Sequence, residues 1–247
     1  IRDSVASRGL GVCIRDRLGR LAGRIAQRLG GEVPATVVAS EPEKPVEMDY
    51  QCIQSLEELQ RWIDLARSVG GVAVDTETTS LDAMVADLVG VSLSVRPGQA
   101  CYIPLGHTGP LPAGELDLEG AIDVPDQIPL DQALDLLRPL FEDPSVLKVG
   151  QNLKYDMSVL RRYGIDLMPI DDTMLLSYVT EGGMHGHGMD ELSKLHLDIE
   201  PIPFKEVAGS GKSRITFDRV PLDKATEYEA EAAELSLRLY LYINPRK

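Results

Sequence analysis

The sequence predicts an α/β fold: a mixed β-sheet flanked by helices on both faces. Three observations carry this. A helix with a reciprocal N-cap leads into apolar runs of strand length, two of those runs are joined by a tight turn, and the C-terminal half sets one short strand among several helices. From about residue 46, "SLEELQRWIDLARSVGG" places Ser55 three residues before Glu58, a capping box, and ends at Gly70 and Gly71. The strand candidates "GVAVDTE", "LVGVSLSV" and "ACYIPLG" follow. The turn "RPGQ" at 96–99 makes the last two an antiparallel hairpin. After a loop rich in Pro and Gly come the helix "LDQALDLLRPLF" and the apolar strand "VLKVG". Helices are then expected near 152–163, 172–179 and 189–197, with a last one from Pro221 to Tyr242. No internal repeat is present.

The N-terminal part differs. Ile14, Leu18, Leu21, Ile25 and Leu29 recur at helical spacing among arginines, and Gly30 and Gly31 close the pattern. This reads as a peripheral helix or the tail of an upstream domain rather than a transit peptide. The mixture of Pro, Ser, Glu and Gly after it reads as a linker. Residues 1–45 are therefore expected to be an arm and linker, prone to disorder, and residues 46–247 the folded domain. A chain that begins at Ile1 and stops at "NPRK" is expected to be a piece of something longer.

The charge balance constrains function. With 25 basic and 39 acidic residues the formal net charge is −14. Residues 1–30 carry seven arginines against Asp3 and Asp16, a local +5 that leaves −19 for the rest. So acidic a chain argues against phosphate-backbone binding, unless some of the carboxylates hold cations that reverse the local field. Cys13, Cys52 and Cys101 form no C-x-x-C pair, which argues against a zinc cage or disulfide scaffold and suits a reducing compartment. No apolar run reaches the ~20 residues of a membrane span.

The chemistry concentrates at "GVAVDTETTSL". Strand residues two apart share a face, so Asp75 and Glu77 stand side by side and repel unless something positive lies between them. A strand ending in a solvated acidic turn is the plain reading, and half of a metal site the sharper one. In "VLKVGQNLKYDMSVLRRYG", Asp156 lies beside an apolar stripe of Leu153, Met157 and Leu160. A half-buried carboxylate there is costly unless it is paired or coordinates an ion.

Seven blocks in one order extend the pattern: "DTETTSLD", "YIPLGH", "KVGQNLKYD", "DDTMLLSY", "MDELSKLHL", "IPFKEVAGSGK" and "TFDRVPLDKATEY". Over about residues 48–242 the chain resembles the 3′→5′ proofreading exonuclease domain of bacterial family A DNA polymerases, within the DEDD exonuclease superfamily. The resemblance implies an RNase H-like fold and hydrolysis of the terminal phosphodiester at a single-stranded DNA 3′ end, in the service of a polymerase domain of the same parent chain. It further implies two divalent cations, Mg²⁺ or Mn²⁺, and a bacterial, cytoplasmic, nucleoid-associated setting. Carried over by motif, the metal ligands are Asp75, Glu77 and Asp156, with Tyr228 placing the attacking water. Leu81 and Phe204 match residues that wedge or stack against terminal bases. Gln151, Asn152 and Tyr155 match positions near the terminal nucleotide. An RNase D-type RNA exonuclease shares the acid set, and a degenerate binding or bracing domain stands as the other alternative.

One departure is plain. The family places an acid four residues after the tyrosine, one helical turn on, and that position here is Ala232. Glu231 is one residue early and points about 100° away, so weakened metal binding and activity are expected. "EVAGSGK" is no nucleotide P-loop, since position 206 is Glu where that motif needs Gly. It reads either as a flexible basic loop, with Lys205, Lys212 and Arg214 available to a DNA backbone, or as a plain surface turn. His185 and His187, set among glycines with no further ligand nearby in the sequence, read as part of a mobile loop.

Overall fold

The computed structural model describes residues 47–109 and 124–244. The arginine-rich segment, the linker and the middle of the Pro- and Gly-rich loop lie outside them. Six strands form one mixed sheet, β1 (Asp49–Cys52), β2 (Gly71–Thr78), β3 (Leu88–Arg96), β4 (Gln99–Pro104), β5 (Leu147–Gly150) and β6 (Ile170–Asp172). Their order across the sheet is β1-β4-β3-β2-β5-β6. The hairpin β3–β4 is antiparallel, β2 runs antiparallel to β3, and β2, β5 and β6 are mutually parallel. β1 is parallel to β4. The two short edge strands, of four and three residues, are absent from the sequence reading.

Helices cover both faces. α1 (Leu56–Val69) opens on the expected capping box: the Ser55 side chain accepts from the Glu58 N–H at 3.3 Å and donates to the Glu58 carboxylate at 2.9 Å. It ends at Gly70, whose φ of 79° is costly for a residue with a side chain. Leu59 and Ile63 of α1, Leu137 and Phe141 of α2 (Leu130–Phe141), and Leu153 and Leu160 at α3 (Lys154–Arg162) form the main core with Val72, Val74, Val91 and Leu93. Ala73 faces the other way, joining Val149 and Leu237 beneath the long helix α7 (Leu222–Ile243). The alternation along β2 thus sends Val72 and Val74 into the core and Ala73, Asp75 and Glu77 toward α7. α4 (Thr173–Glu181), the short α5 (Met189–Leu192) with its π-helical continuation Ser193–Leu197, and α6 (Phe204–Ala208) complete the described helices apart from 3₁₀ turns.

Two local features fix how α3 sits against the sheet. Asp172, buried at the end of β6, accepts from the N–H groups of Asn152 (3.1 Å), Leu153 (2.9 Å), Met174 (2.9 Å) and Leu175 (3.3 Å). One carboxylate thus closes the starts of two helices. Gly150 ends β5 where a Cβ would lie 2.4 Å from Leu153 Cδ2 and 2.8 Å from the Val74 carbonyl oxygen. No side chain fits there without moving α3 away from β2.

Candidate active site

β2 ends against an open groove of about 750 Å³, with Glu77, Leu81, Tyr155, Phe204, Arg214 and Tyr228 on its walls. Glu77 lines it, and Asp75 lies two residues earlier on the same face of β2; both are half-buried. Asp156 is brought to the same place from α3. It is 3% exposed and accepts from both the Thr76 N–H (3.0 Å) and the Thr76 hydroxyl (2.6 Å), so one β2 residue holds the helix carboxylate against the strand. The three predicted acids therefore converge from two segments.

A fourth acid joins them that the sequence reading did not count. Glu229, the residue after Tyr228, is 1% exposed. Its carboxylate lies 3.4 Å from Ser92 Oγ and exchanges a hydrogen bond with Glu77. Ser92 pairs with Asp75 across the sheet, so Glu229 reaches over β3 to the acidic end of β2. Helical spacing carried the signal: Glu229 falls one turn from both Ala225 and Ala233, on the buried stripe of α7. Glu231 is spent elsewhere, accepting from the Ile202 N–H at 2.7 Å, and Glu234 accepts from the Gly98 N–H at 3.0 Å.

The four carboxyls share one electrostatic predicament. Burial raises the Asp75 pKa to about 6. Burial, with Asp75 beside it, raises that of Glu77 to about 7. Asp156 and Glu229 are pushed well above the carboxylate range, first by burial and then by their acidic neighbours. No lysine or arginine contributes to any of these shifts. Buried oxygens at this density, without a positive partner among the described residues, form a donor set that suits hard divalent cations. The Tyr228 phenol is driven upward by burial and by Glu229, so it stays protonated and serves as a donor rather than a base.

The remaining predicted residues divide. Leu81 is 89% exposed at the groove rim. Phe204 stacks on Phe217, with centroids 6.3 Å apart at 23°, meets Tyr228 edge-on, and lies 5.2 Å from the Arg214 guanidinium carbon. Tyr155 lines the groove, its hydroxyl held by Thr78 and the Ser80 carbonyl. Gln151 and Asn152 lie outside the lining. The Gln151 amide donates to the His187 carbonyl at 2.8 Å and accepts from Thr173, while Asn152 adopts φ 61° with its N–H on Asp172. The 205–214 stretch, expected as a flexible loop or a plain turn, folds as α6 and a 3₁₀ turn at Gly211–Ser213.

The family model described as 3′-5′ exonuclease matches residues 50–246. DNA polymerase I of Rhizobium leguminosarum is 51% identical over 206 residues, 80% of this chain and 20% of its own length. The Pseudomonas aeruginosa DNA polymerase I is 38% identical over 205 residues, 81% of this chain and 21% of its own. The chain thus spans about a fifth of the length of these relatives. Among solved structures, Brucella melitensis NrnC aligns with a TM-score of 0.55 at 21% identity over 81% of both chains. Escherichia coli RNase D aligns with a TM-score of 0.55 at 17% identity over 80% of this chain and 46% of its own. These two likenesses bear on the fold, which is the RNase H-like arrangement that the sequence predicted. No described helix is long and apolar enough to cross a membrane. The chain belongs to the 3′-5′ exonuclease family, as the exonuclease segment of a family A DNA polymerase.

Proposed function

We propose that residues 46–247 form a proofreading unit that removes nucleotides from a single-stranded DNA 3′ end, for a polymerase domain of the same parent chain at the bacterial nucleoid, with residues 1–45 as the arm from an upstream domain. The observation that carries this reading is the meeting of Asp75, Glu77, Asp156 and Glu229 beside a groove walled by Tyr228. Two divalent cations bound there, Mg²⁺ or Mn²⁺, would supply an acidified attacking water and charge stabilisation of the leaving oxygen. Asp75, Glu77 and Asp156 would hold them. Glu229 supplies the fourth carboxylate that Ala232 lacks, from the other side of the tyrosine. The neutral Tyr228 hydroxyl orients the water by hydrogen bonding. Leu81 at the rim and Phe204 with Arg214 offer a wedge, a stacking face and a cation to the terminal nucleotides, which is sequence-tolerant as trimming requires. Tyr155 borders the same space, whereas Gln151 and Asn152 act through the backbone that carries Asp156.

The test is release of mononucleotides from a labelled single-stranded DNA oligonucleotide with Mg²⁺ or Mn²⁺, beside an RNA of the same sequence. Metal-dependent shortening from the 3′ end, faster on DNA and lost in Asp75→Ala, is expected. Preference for RNA would favour the RNase D-type reading. Absence of release with both metals, together with retained DNA binding, would favour a degenerate domain, the reading that Ala232 supports.

A further inference from the structure

Three of the chain's four histidines gather at the corner where α4 ends, and none of them has a part in the proposed nucleotide removal. Glu181 closes α4, His185 and His187 lie in the glycine-rich turn after it, and His196 sits in the π-helical turn Ser193–Leu197. The turn does not stand alone, as the sequence reading expected. Its ligand partners come from the preceding helix and from nine or more residues further on. His185 Nε2 is 2.9 Å from Glu181 Oε2, and His196 Nε2 is 3.1 Å from the same oxygen. The ligand atoms of Glu181, His185 and His196 all lie within 4.8 Å of one another. The histidine side chains are 12% and 6% exposed and that of Glu181 23%, so the cluster is shielded but reachable.

We propose that Glu181, His185 and His196 bind a first-row divalent ion, Zn²⁺ in the simplest case, at a site separate from the acidic centre. The tautomer of His185 is the strongest support. His185 Nδ1 is 2.6 Å from the Gly186 carbonyl oxygen, which accepts only, so Nδ1 carries the proton. Nε2 then faces the Glu181 oxygen at 2.9 Å, as an imidazolium N–H without an ion and as a lone pair toward an ion set between them. A backbone carbonyl on the far nitrogen is the usual orienting partner of a ligating histidine. Ligands ~2.0–2.2 Å from an ion at tetrahedral or octahedral angles stand roughly 2.9–3.5 Å apart, and the two measured separations fall in that span. Two imidazoles and one carboxylate suit Zn²⁺ and its neighbours rather than Mg²⁺ or Ca²⁺. A π-turn, which brings His196 inward here, recurs at functional sites.

The surroundings give the ion a structural task. Glu191 accepts from the Gly186 N–H at 3.0 Å, and the His187 carbonyl accepts from Gln151. His187 itself is engaged with Ser177 through Nδ1 at 2.8 Å and is not among the ligands. An ion at the three ligands therefore staples the turn to α4 and to the π-turn, next to the segment that delivers Asp156.

The probe is Zn²⁺ alone, titrated into the chelator-stripped chain carrying Asp75→Ala and Asp156→Ala, against a competing chelating dye. One equivalent of tight binding and an upward shift in melting temperature are expected, and Co²⁺ in its place should develop visible absorption with histidine-nitrogen character. His185→Ala and Glu181→Gln should each weaken binding about 100-fold, whereas His187→Ala should keep the one equivalent. The idea fails if the parent chain takes up no Zn²⁺ below millimolar concentration, or if uptake is the same in His185→Ala. Because the first readout uses no substitution at the cluster, misfolding of a variant does not blur the outcome.

Discussion

Asp172 at the end of β6 and the acidic centre at the end of β2, with β5 between the two strands, are both withdrawn from solvent, and their surroundings treat them in opposite ways. Asp172 is met by four backbone N–H groups from two helix starts. Asp75, Glu77, Asp156 and Glu229 are met by Thr76, Ser92 and each other, and all four are held toward their protonated forms. Depth is common to both, so depth does not separate scaffold from reaction centre. Crowding does: a lone carboxylate met by four N–H groups organises the fold, and four carboxyls pressed together suit cations.

The sharpest way to break this contrast is Asp156→Asn. Nucleotide release should fall by about 100- to 1000-fold, the scale on which loss of one electrostatic stabiliser acts, while the metal-free protein should keep or raise its melting temperature, because an amide still accepts from Thr76 and cannot add a charge to the cluster. A lower melting temperature would place Asp156 with Asp172 among the structural acids. Next comes a pair that assigns the fourth carboxylate. Glu229→Gln should cost on the order of 100-fold in release, and Ala232→Asp should change it by less than about tenfold. The reverse outcome would make Glu229 a mere buried passenger and Ala232 a genuine loss.

On the scaffold side, Asp172→Ala should remove about 2–3 kcal/mol of stability in a urea titration, since it strips two helix caps at once, and release per folded molecule should stay within about tenfold. The mildest test is pH. Asp75 and Glu77 have folded-state pKa values raised from 3.8 and 4.5 to about 6 and about 7. Their contribution to the stability of the metal-free protein should therefore be fully present below about pH 4 and be lost as pH rises toward about 7, because the unfolded chain gives up these protons first. Thermal melts at stepped pH should show that fall, and millimolar Mn²⁺ at alkaline pH should reverse it.

Much of this was legible in the residues. The capping box at Ser55, the hairpin turn at 96–99 and the period-two face of β2 are local signals, and the structure carries them as read. The sheet edges were not legible: "DYQC" and "IDD" are only four and three residues long and carry few apolar side chains to mark them as strands. Strand alternation and an apolar stripe mark Asp75, Glu77 and Asp156 as carboxylates worth notice, and the motif resemblance joins them into one site. That motif puts the fourth acid at 232, and Glu229 is marked only by its place on the buried stripe of α7. The histidine cluster escaped because Glu181 and His196 lie on separate helical segments, and only tertiary packing brings them to one point.

The spacing between β2 and the helix that bears Asp156 is governed by Gly150, a position with no side chain of its own. Sequence drift there would be silent to any inventory of acids. One methyl group at 150 would press on Leu153 and the Val74 carbonyl, easing Asp156 away from its partners on the strand while every carboxylate stays in the text of the protein.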